Sequence, residues 1–286
     1  MGADVQSEGY TGREAVLLTR HGKERVIVPA LEDALGCRVY HEQGYDTDRL
    51  GTFSREVPHA GTQLEAARRK ARIGMELAGL SLGIASEGAF GPDPFTGLIP
   101  WNTELVILVD AARELEVVGI SQGKACFAHR LESDWQAVAD FANGLGFPEQ
   151  QLILRPGHAE DPRIRKDIDS WSGLESTFHE LKGQASNGQV FVETDGRAHA
   201  NPLRMVNIGL AARNLGARMR SLCPACGSPG FWAIERIGGL PCSDCGQPTR
   251  DAMHEVHGCV KCMHRVTRPI PEREFADPAH CDYCNP

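Results

Sequence analysis

Leu82-Gly-Ile-Ala-Ser-Glu-Gly-Ala-Phe-Gly-Pro92 is the stretch around which the rest of the chain can be arranged. Leu82, Ile84 and Ala85 read as a short buried strand. The strand is predicted to stop at Glu87, where Gly88, Gly91 and Pro92 turn the backbone into a loop. In α/β folds ligands meet the chain just beyond the C-terminal ends of strands. An acid there, between glycines that let a ligand approach, is a candidate catalytic or metal-binding group. The plain alternative is a solvated loop acid.

Immediately upstream, Thr62 to Leu80 carries the strongest helical pattern. Thr62 and Glu65 have the spacing of a capping box. Arg68, Arg69, Arg72, Glu65 and Glu76 form one charged arc on a helical wheel, and small and apolar residues form the other. Lys70 is the one charge inside the apolar arc. A lysine there needs a core carboxylate, a route to solvent or an anionic ligand.

Before that helix come a strand at 14–19, a turn at Thr19-Arg-His-Gly-Lys23, and a helical pattern ending at Gly36. Pro29 predicts either a kink in that helix or a start near Val28. A strand at 38–40 and a polar loop with Asp46, Asp48, Thr52 and Glu56 follow. Downstream, 103–110 and 115–120 read as strands joined by a hairpin turn. Helices are expected at 134–145 and 173–182, strands at 151–154 and 189–193, and a helix after Asn201-Pro202. Strands alternating with helices predict an α/β domain, a mixed layered sheet with flanking helices, over 13–218.

Residues 219–286 form a different module. Eight of the ten cysteines lie there as four Cys-x-x-Cys pairs: Cys223/Cys226, Cys242/Cys245, Cys259/Cys262 and Cys281/Cys284. Such spacing suits two structural zinc ions in two four-cysteine ribbons, with iron as the alternative metal. The simplest pairing is sequential. A cross-braced pairing, first with third and second with fourth, is the alternative, and His257, His264 or His280 could replace a cysteine. Four thiolates leave no open position for catalysis.

The net charge is −8, and residues 220–286 carry seven Lys/Arg against eight Asp/Glu. This argues against a nucleic-acid-binding protein. No apolar run approaches the ~20 residues of a membrane span, and the N-terminus has no basic-then-apolar signal. A cytoplasmic protein without membrane contact is expected.

The candidate chemistry lies near the predicted strand ends. Lys23 follows a Gly-containing turn at a helix start, which suits phosphate. Asp48, Glu87 and Glu104 suit Mg²⁺. Arg197, His199 and Arg204 lie, with acids, in Glu193-Thr-Asp-Gly-Arg-Ala-His-Ala-Asn-Pro-Leu-Arg204, between a strand end and the start of the last helix. Phosphoryl chemistry is largely positioning and charge neutralisation. The reading is a Mg²⁺-dependent hydrolase or binder of a phosphorylated small molecule, a nucleotide first. Glu87, with Asp48 or Glu104, would hold the metal, and Lys23, Lys70 and Arg197 would face phosphate. The competing reading is a zinc adaptor that docks a protein, or less readily nucleic acid, through its tail near Arg265 and Arg268.

The motifs Thr19-Arg-His-Gly-Lys-Glu24, Asp46-Thr-Asp-Arg-Leu-Gly-Thr-Phe53, Glu65-Ala-Ala-Arg-Arg-Lys-Ala71, Ala85-Ser-Glu-Gly-Ala-Phe-Gly-Pro92 and Glu193-Thr-Asp-Gly-Arg197 resemble an uncharacterised bacterial family of unknown function with a cysteine tail. The order of elements is also similar to that of the inosine-triphosphate pyrophosphatase superfamily. In that resemblance Thr19-Arg-His-Gly-Lys23 matches a phosphate turn and Lys70-Ala71 a helical Lys-Ala pair. Ser86-Glu87 stands where those enzymes have Asp-Asp, and Arg197 and His199 correspond in reversed order to a base-binding His-Arg.

Overall fold

A computed structural model describes residues 9–47, 61–270 and 273–286. The chain divides into two compact units. One comprises the part up to Glu114 with Val118–Gly216, and the other Leu115–Val117 with Ala217–Pro286.

The first unit opens with β1 (Glu14–Leu18), α1 (Glu24–Leu35), β2 (Arg38–Glu42) and α2 (Gln63–Ala78). Then come β3 (Leu82–Pro92), β4 (Pro100–Asp110) and β5 (Leu115–Lys124). These strands form a five-stranded sheet in the order β2-β1-β3-β4-β5. β1 pairs parallel with β2 and β3, and β3 pairs antiparallel with β4, so the sheet is mixed as expected.

Local chemistry explains the elements. Thr62 and Glu65 form the complete capping box at the start of α2, and Gly79 ends it in the left-handed conformation. α1 starts at Glu24 and contains Pro29. Its face of Ile27, Leu31, Ala34 and Leu35 is buried, and that packing outweighs the lost backbone bond. Ala67 and Ala71 of α2 pack on Ala85, Leu105, Ile107 and Val109 of the sheet. The alanines let the helix lie close, which brings Lys70 within reach of the strand beneath.

Two expectations are corrected. β3 does not stop at Glu87. It runs on to Pro92 with an unbroken β4 register, Glu87 opposite Leu105 and Gly88 opposite Glu104. Its parallel pairing with β1 reaches only Leu17↔Ile84. Glu87 therefore lies beyond the end of β1, although within its own strand. The glycines do not break the strand because β4 supplies a full antiparallel partner.

The second correction is an additional sheet. β6 (His129–Glu132), β7 (Leu152–Pro156), β8 (Arg165–Ile168) and β9 (Val190–Thr194) form an antiparallel sheet ordered β6-β9-β7-β8. α3 (Trp135–Leu145) and α4 (Trp171–Gln184) cover it, burying Val138, Phe178 and Leu181 against Leu152, Leu154 and Val192.

α5 (Pro202–Arg220) lies close on β5. A Cβ added to Gly119 would stand 2.3 Å from the Ala211 carbonyl oxygen and 2.3 Å from the Leu215 nitrogen. The last unit holds β10 (Trp232–Gly238), β11 (Ala252–Gly258) and β12 (Arg265–Pro269), an antiparallel meander. Among the described residues no helix is long and apolar enough to cross a membrane.

Thermal unfolding checks the helix–sheet contact. Gly119→Ala is expected to destabilise the protein by about 1–3 kcal/mol, because rigid backbone must move. Gly144→Ala, in α3 with open space around it, is expected to stabilise by up to about 1 kcal/mol. Equal effects of the two substitutions would contradict the packing.

Candidate functional site

Four elements deliver charged side chains to one buried cluster. Lys70 on α2 places its Nζ 2.5 Å from Glu87 Oε1 on β3. Arg204, in the first turns of α5, donates from Nε to Glu104 Oε1 on β4 at 2.7 Å. It also donates to the Gly196 carbonyl at 2.5 Å. Asn102 donates to the same Glu104 oxygen, and Asn207 donates to Asn102 Oδ1. Gly88 leaves the room for this, since a Cβ there would lie 2.4 Å from both the Arg204 guanidinium and the Glu104 carboxylate.

Lys23 is the fifth charge. It stands at the N-cap position of α1 without a side-chain capping bond, and donates from Nζ to Ser86 Oγ at 3.3 Å, beside Glu87 in sequence. Lys23, Lys70, Glu87, Glu104 and Arg204 are respectively 5%, 8%, 3%, 0% and 2% exposed. Both carboxylates already have a cation, whereas Lys23 has a hydroxyl. Burial, then the nearby Arg204 and Lys70 charges, pull the Lys23 amine down to about 7, against weaker support from Glu87 and Glu104. A depressed lysine stabilises the fold fully above its ordinary 10.5. That contribution is lost as the pH falls toward 7.

The turn before Lys23 opens on a cleft of about 520 Å³ between Thr19–Arg25 and His41–Asp46. His21 and Gly22 both have positive φ, 65° and 73°, which bends the chain sharply into α1. His21, Gly22, Glu24 and Arg25 line the cleft, and the Lys23 amine is directed inward to Ser86. His199 stacks on His21 at 5.1 Å and so reaches this turn.

Arg197 is committed to acids of its own, one of which, Asp167, also lies 3.6 Å from His199 Nε2. Its guanidinium is bound by Asp195 and by Asp167 at 2.6 and 2.8 Å. Asp48 lies outside the described residues. Of the predicted groups, Lys23, Lys70, Glu87 and Glu104 therefore come together, His199 adjoins them, and Arg197 is held by its own acids. Arg204, from the polar run that ends at the last helix, joins the cluster, and the structure adds Ser86 and Asn102. For Asn102 the signal was a polar residue entering an apolar strand.

The cysteines form two further sites. One groups Cys223, Cys226, Cys259 and Cys262, the other Cys242, Cys245, Cys281 and Cys284. This is the cross-braced arrangement and corrects the sequential expectation. Register gives the reason. Trp232 lies opposite Gly258, so the first and third pairs flank the same end of the β10–β11 ladder. The second pair lies in the β10–β11 connection, at the far end, where β12 also leads the chain toward the fourth. A seven-residue strand spans roughly 23 Å, so sequential pairs could not meet.

The Sγ···Sγ distances are 3.6 Å for Cys223/Cys262, 3.7 Å for Cys226/Cys259, 3.9 Å for Cys242/Cys284 and 3.6 Å for Cys245/Cys281. A tetrahedron with metal–sulfur bonds of about 2.3 Å has edges of about 3.8 Å. Disulfides, at about 2.05 Å, do not fit. Backbone N–H groups of Lys261 and Cys262 donate to Cys259 Sγ at 3.3 and 3.4 Å, which orients a thiolate. The histidines are engaged elsewhere: His280 with Asp251, His257 with Glu255, and His264 stacked on Phe231. Each centre can hold one metal ion. Among the described residues no further group of three or more acids, histidines or cysteines has metal-binding geometry, so Glu87 and Glu104 do not form a pre-built cation site.

Residues 70–286 match a family described as a domain of unknown function, DUF6671. A search of the curated proteins finds no match.

Metal analysis of one double variant distinguishes the pairings. Cys223→Ser with Cys259→Ser removes two ligands from a single cross-braced centre, so one metal ion per chain is expected to remain. Sequential pairing would lose both.

Proposed function

The chain belongs to the DUF6671 family of unknown function, and we propose from its buried charges that it binds a phosphorylated small molecule, a nucleotide first, and hydrolyses it with Mg²⁺. The observation carrying this reading is the convergence of Lys23, Lys70 and Glu87 from three separate elements. The order strand, turn with lysine, helix with Lys70, and strand with Glu87 also supports it. That order resembles the inosine-triphosphate pyrophosphatase superfamily.

In this reading Lys23 and Lys70 neutralise phosphate oxygens. Lys70 leaves Glu87 for the ligand and frees the carboxylate. Mg²⁺, when bound, supplies Lewis-acid stabilisation and orients water. Glu87 would hold it, with Asp48 as the second acid. Glu104 is fixed by Arg204 and Asn102, so its part is to position Arg204. A cation that keeps several waters and uses one or two carboxylates plus substrate phosphates needs no pre-built cage. The eight cysteines hold two zinc ions with a structural role. Their closed coordination excludes them from catalysis.

A second reading has one observation in its favour. The zinc unit exposes Ile234, Val260, Met263, Phe275 and Tyr283, which suits docking to a protein. It predicts complex formation that weakens with salt and is lost in Arg265→Ala/Arg268→Ala.

The primary reading is tested by turnover. The full-length protein with Mg²⁺ is expected to release phosphate or pyrophosphate from at least one nucleoside triphosphate. Glu87→Gln, checked for folding by circular dichroism, is expected to lower turnover at least about a hundredfold. No turnover across a broad nucleotide panel would remove the enzyme claim.

A further inference from the structure

The metal unit carries a cleft of about 690 Å³ on its three-stranded meander. Arg236 on β10, Glu255 on β11 and Arg268 on β12 stand directly opposite one another in the ladder, so their side chains share one face and form a row. All three line the cleft, as do Arg273 and Asp251. Leu240, Pro269 and Ile270 add apolar surface. Three arginines face two acids, so with histidine counted neutral the cleft has one positive charge in excess.

The arginines differ in what holds them. Arg236 donates to Glu255 at 3.2 Å, and Arg273 lies 3.8 Å from Asp251. Their side chains are 75% and 66% exposed. Ion pairs in water contribute little, so a ligand carboxylate can replace either acid at small cost. Arg268 has no acid at ion-pair distance among the described residues, because Glu255, its neighbour in the row, is turned to Arg236 and His257. Its guanidinium lies over the Phe231 ring, 5.7 Å from the centroid. That ring is buried with Cys223 and Cys259. It fixes the plane of the guanidinium and leaves the N–H donors for a carboxylate.

We propose that this cleft docks an acidic segment of a partner protein: Arg268, with Arg236 or Arg273, takes a carboxylate of the segment, and a neighbouring apolar side chain lies on Pro269 and Ile270. This rests on the docking reading of the metal unit and adds the place and the chemistry of the partner. The charge of the cleft selects an acidic ligand. Residues 220–286 as a whole carry seven Lys/Arg against eight Asp/Glu, so the attraction is local to the cleft. Its lining favours peptide over nucleic acid. Asp251 and Glu255 stand among the arginines and oppose a continuous run of phosphates. Among the described residues the lining has no Phe, Tyr or Trp on which a base could stack.

The test selects short peptides from a random displayed library on the full-length, metal-loaded protein and measures individual winners by fluorescence anisotropy. Winners are expected to share an Asp or Glu beside an apolar residue, and to bind more weakly as salt rises. Arg268→Ala is expected to weaken them at least about tenfold. Arg236→Ala/Arg273→Ala removes only exposed side chains and leaves the contact with Phe231 intact; a loss of about threefold or more is expected. Both variants are checked for retained metal, and if Arg268→Ala loses it, the second variant alone decides. Winners without acidic residues, winners that bind the deciding variant as tightly as the unsubstituted protein, or winners displaced more readily by oligouridine than by free acidic peptide overturn the inference and leave docking elsewhere on the unit in place. A library that yields no winner removes the docking reading and this inference with it.

Discussion

The ion pair between Lys70 and Glu87 is the constraint on which the centre of the first unit depends. It joins α2 to β3 at 2.5 Å inside the protein. Two ions are removed from water to make it, and truncating one partner of such a pair costs about 3–5 kcal/mol. The apolar face of α2 must therefore lie in one register on the sheet. Ala67 and Ala71 on either side permit the close approach. Gly88, next along β3, leaves space for the second pair, Arg204 with Glu104. Two buried pairs so placed hold α2, β3, β4 and α5 around one polar centre.

The metal unit depends on a different kind of constraint. Its buried apolar cluster consists of Phe231 with the ligands Cys223 and Cys259, flanked by Val266. A few such side chains supply about 1.5–3 kcal/mol each. A structural zinc site supplies on the order of 10–16 kcal/mol. Metal held by the two four-cysteine groups would outweigh this small core in folding the unit. The antiparallel meander decides which cysteines share a metal, because it returns the chain to the same end only on alternate turns.

These dependences explain what could be read in advance. The capping box of α2 and the isolation of Lys70 in an apolar arc are local, so sequence shows them directly. The mixed sheet followed from alternating strands and a hairpin. The pairing of the cysteines was not legible, because Cys-x-x-Cys spacing is the same in sequential and cross-braced sites and only strand register separates them. β6 and β8 are not legible in the sequence because His129–Glu132 and Arg165–Ile168 are four residues each and mostly polar. Glu87 was expected at a strand end because the glycines after it read as breakers. Their effect depends on β4, a partner that local sequence does not contain. Asn102, Ser86 and Arg204 gain meaning only from long-range contacts.

Lys23 is the buried cation of this centre that has no acid at ion-pair distance among the described residues. Burying its amine beside Lys70 and Arg204 costs the free protein a few kcal/mol at pH 7. The most direct measurement is the melting temperature of the protein and of Lys23→Met at pH 7, each with and without nucleoside triphosphates and Mg²⁺. The account predicts that the variant melts at or above the unsubstituted protein and gains nothing from ligand, while the unsubstituted protein is raised by at least one nucleotide. A variant that melts lower and keeps the full ligand shift would contradict it.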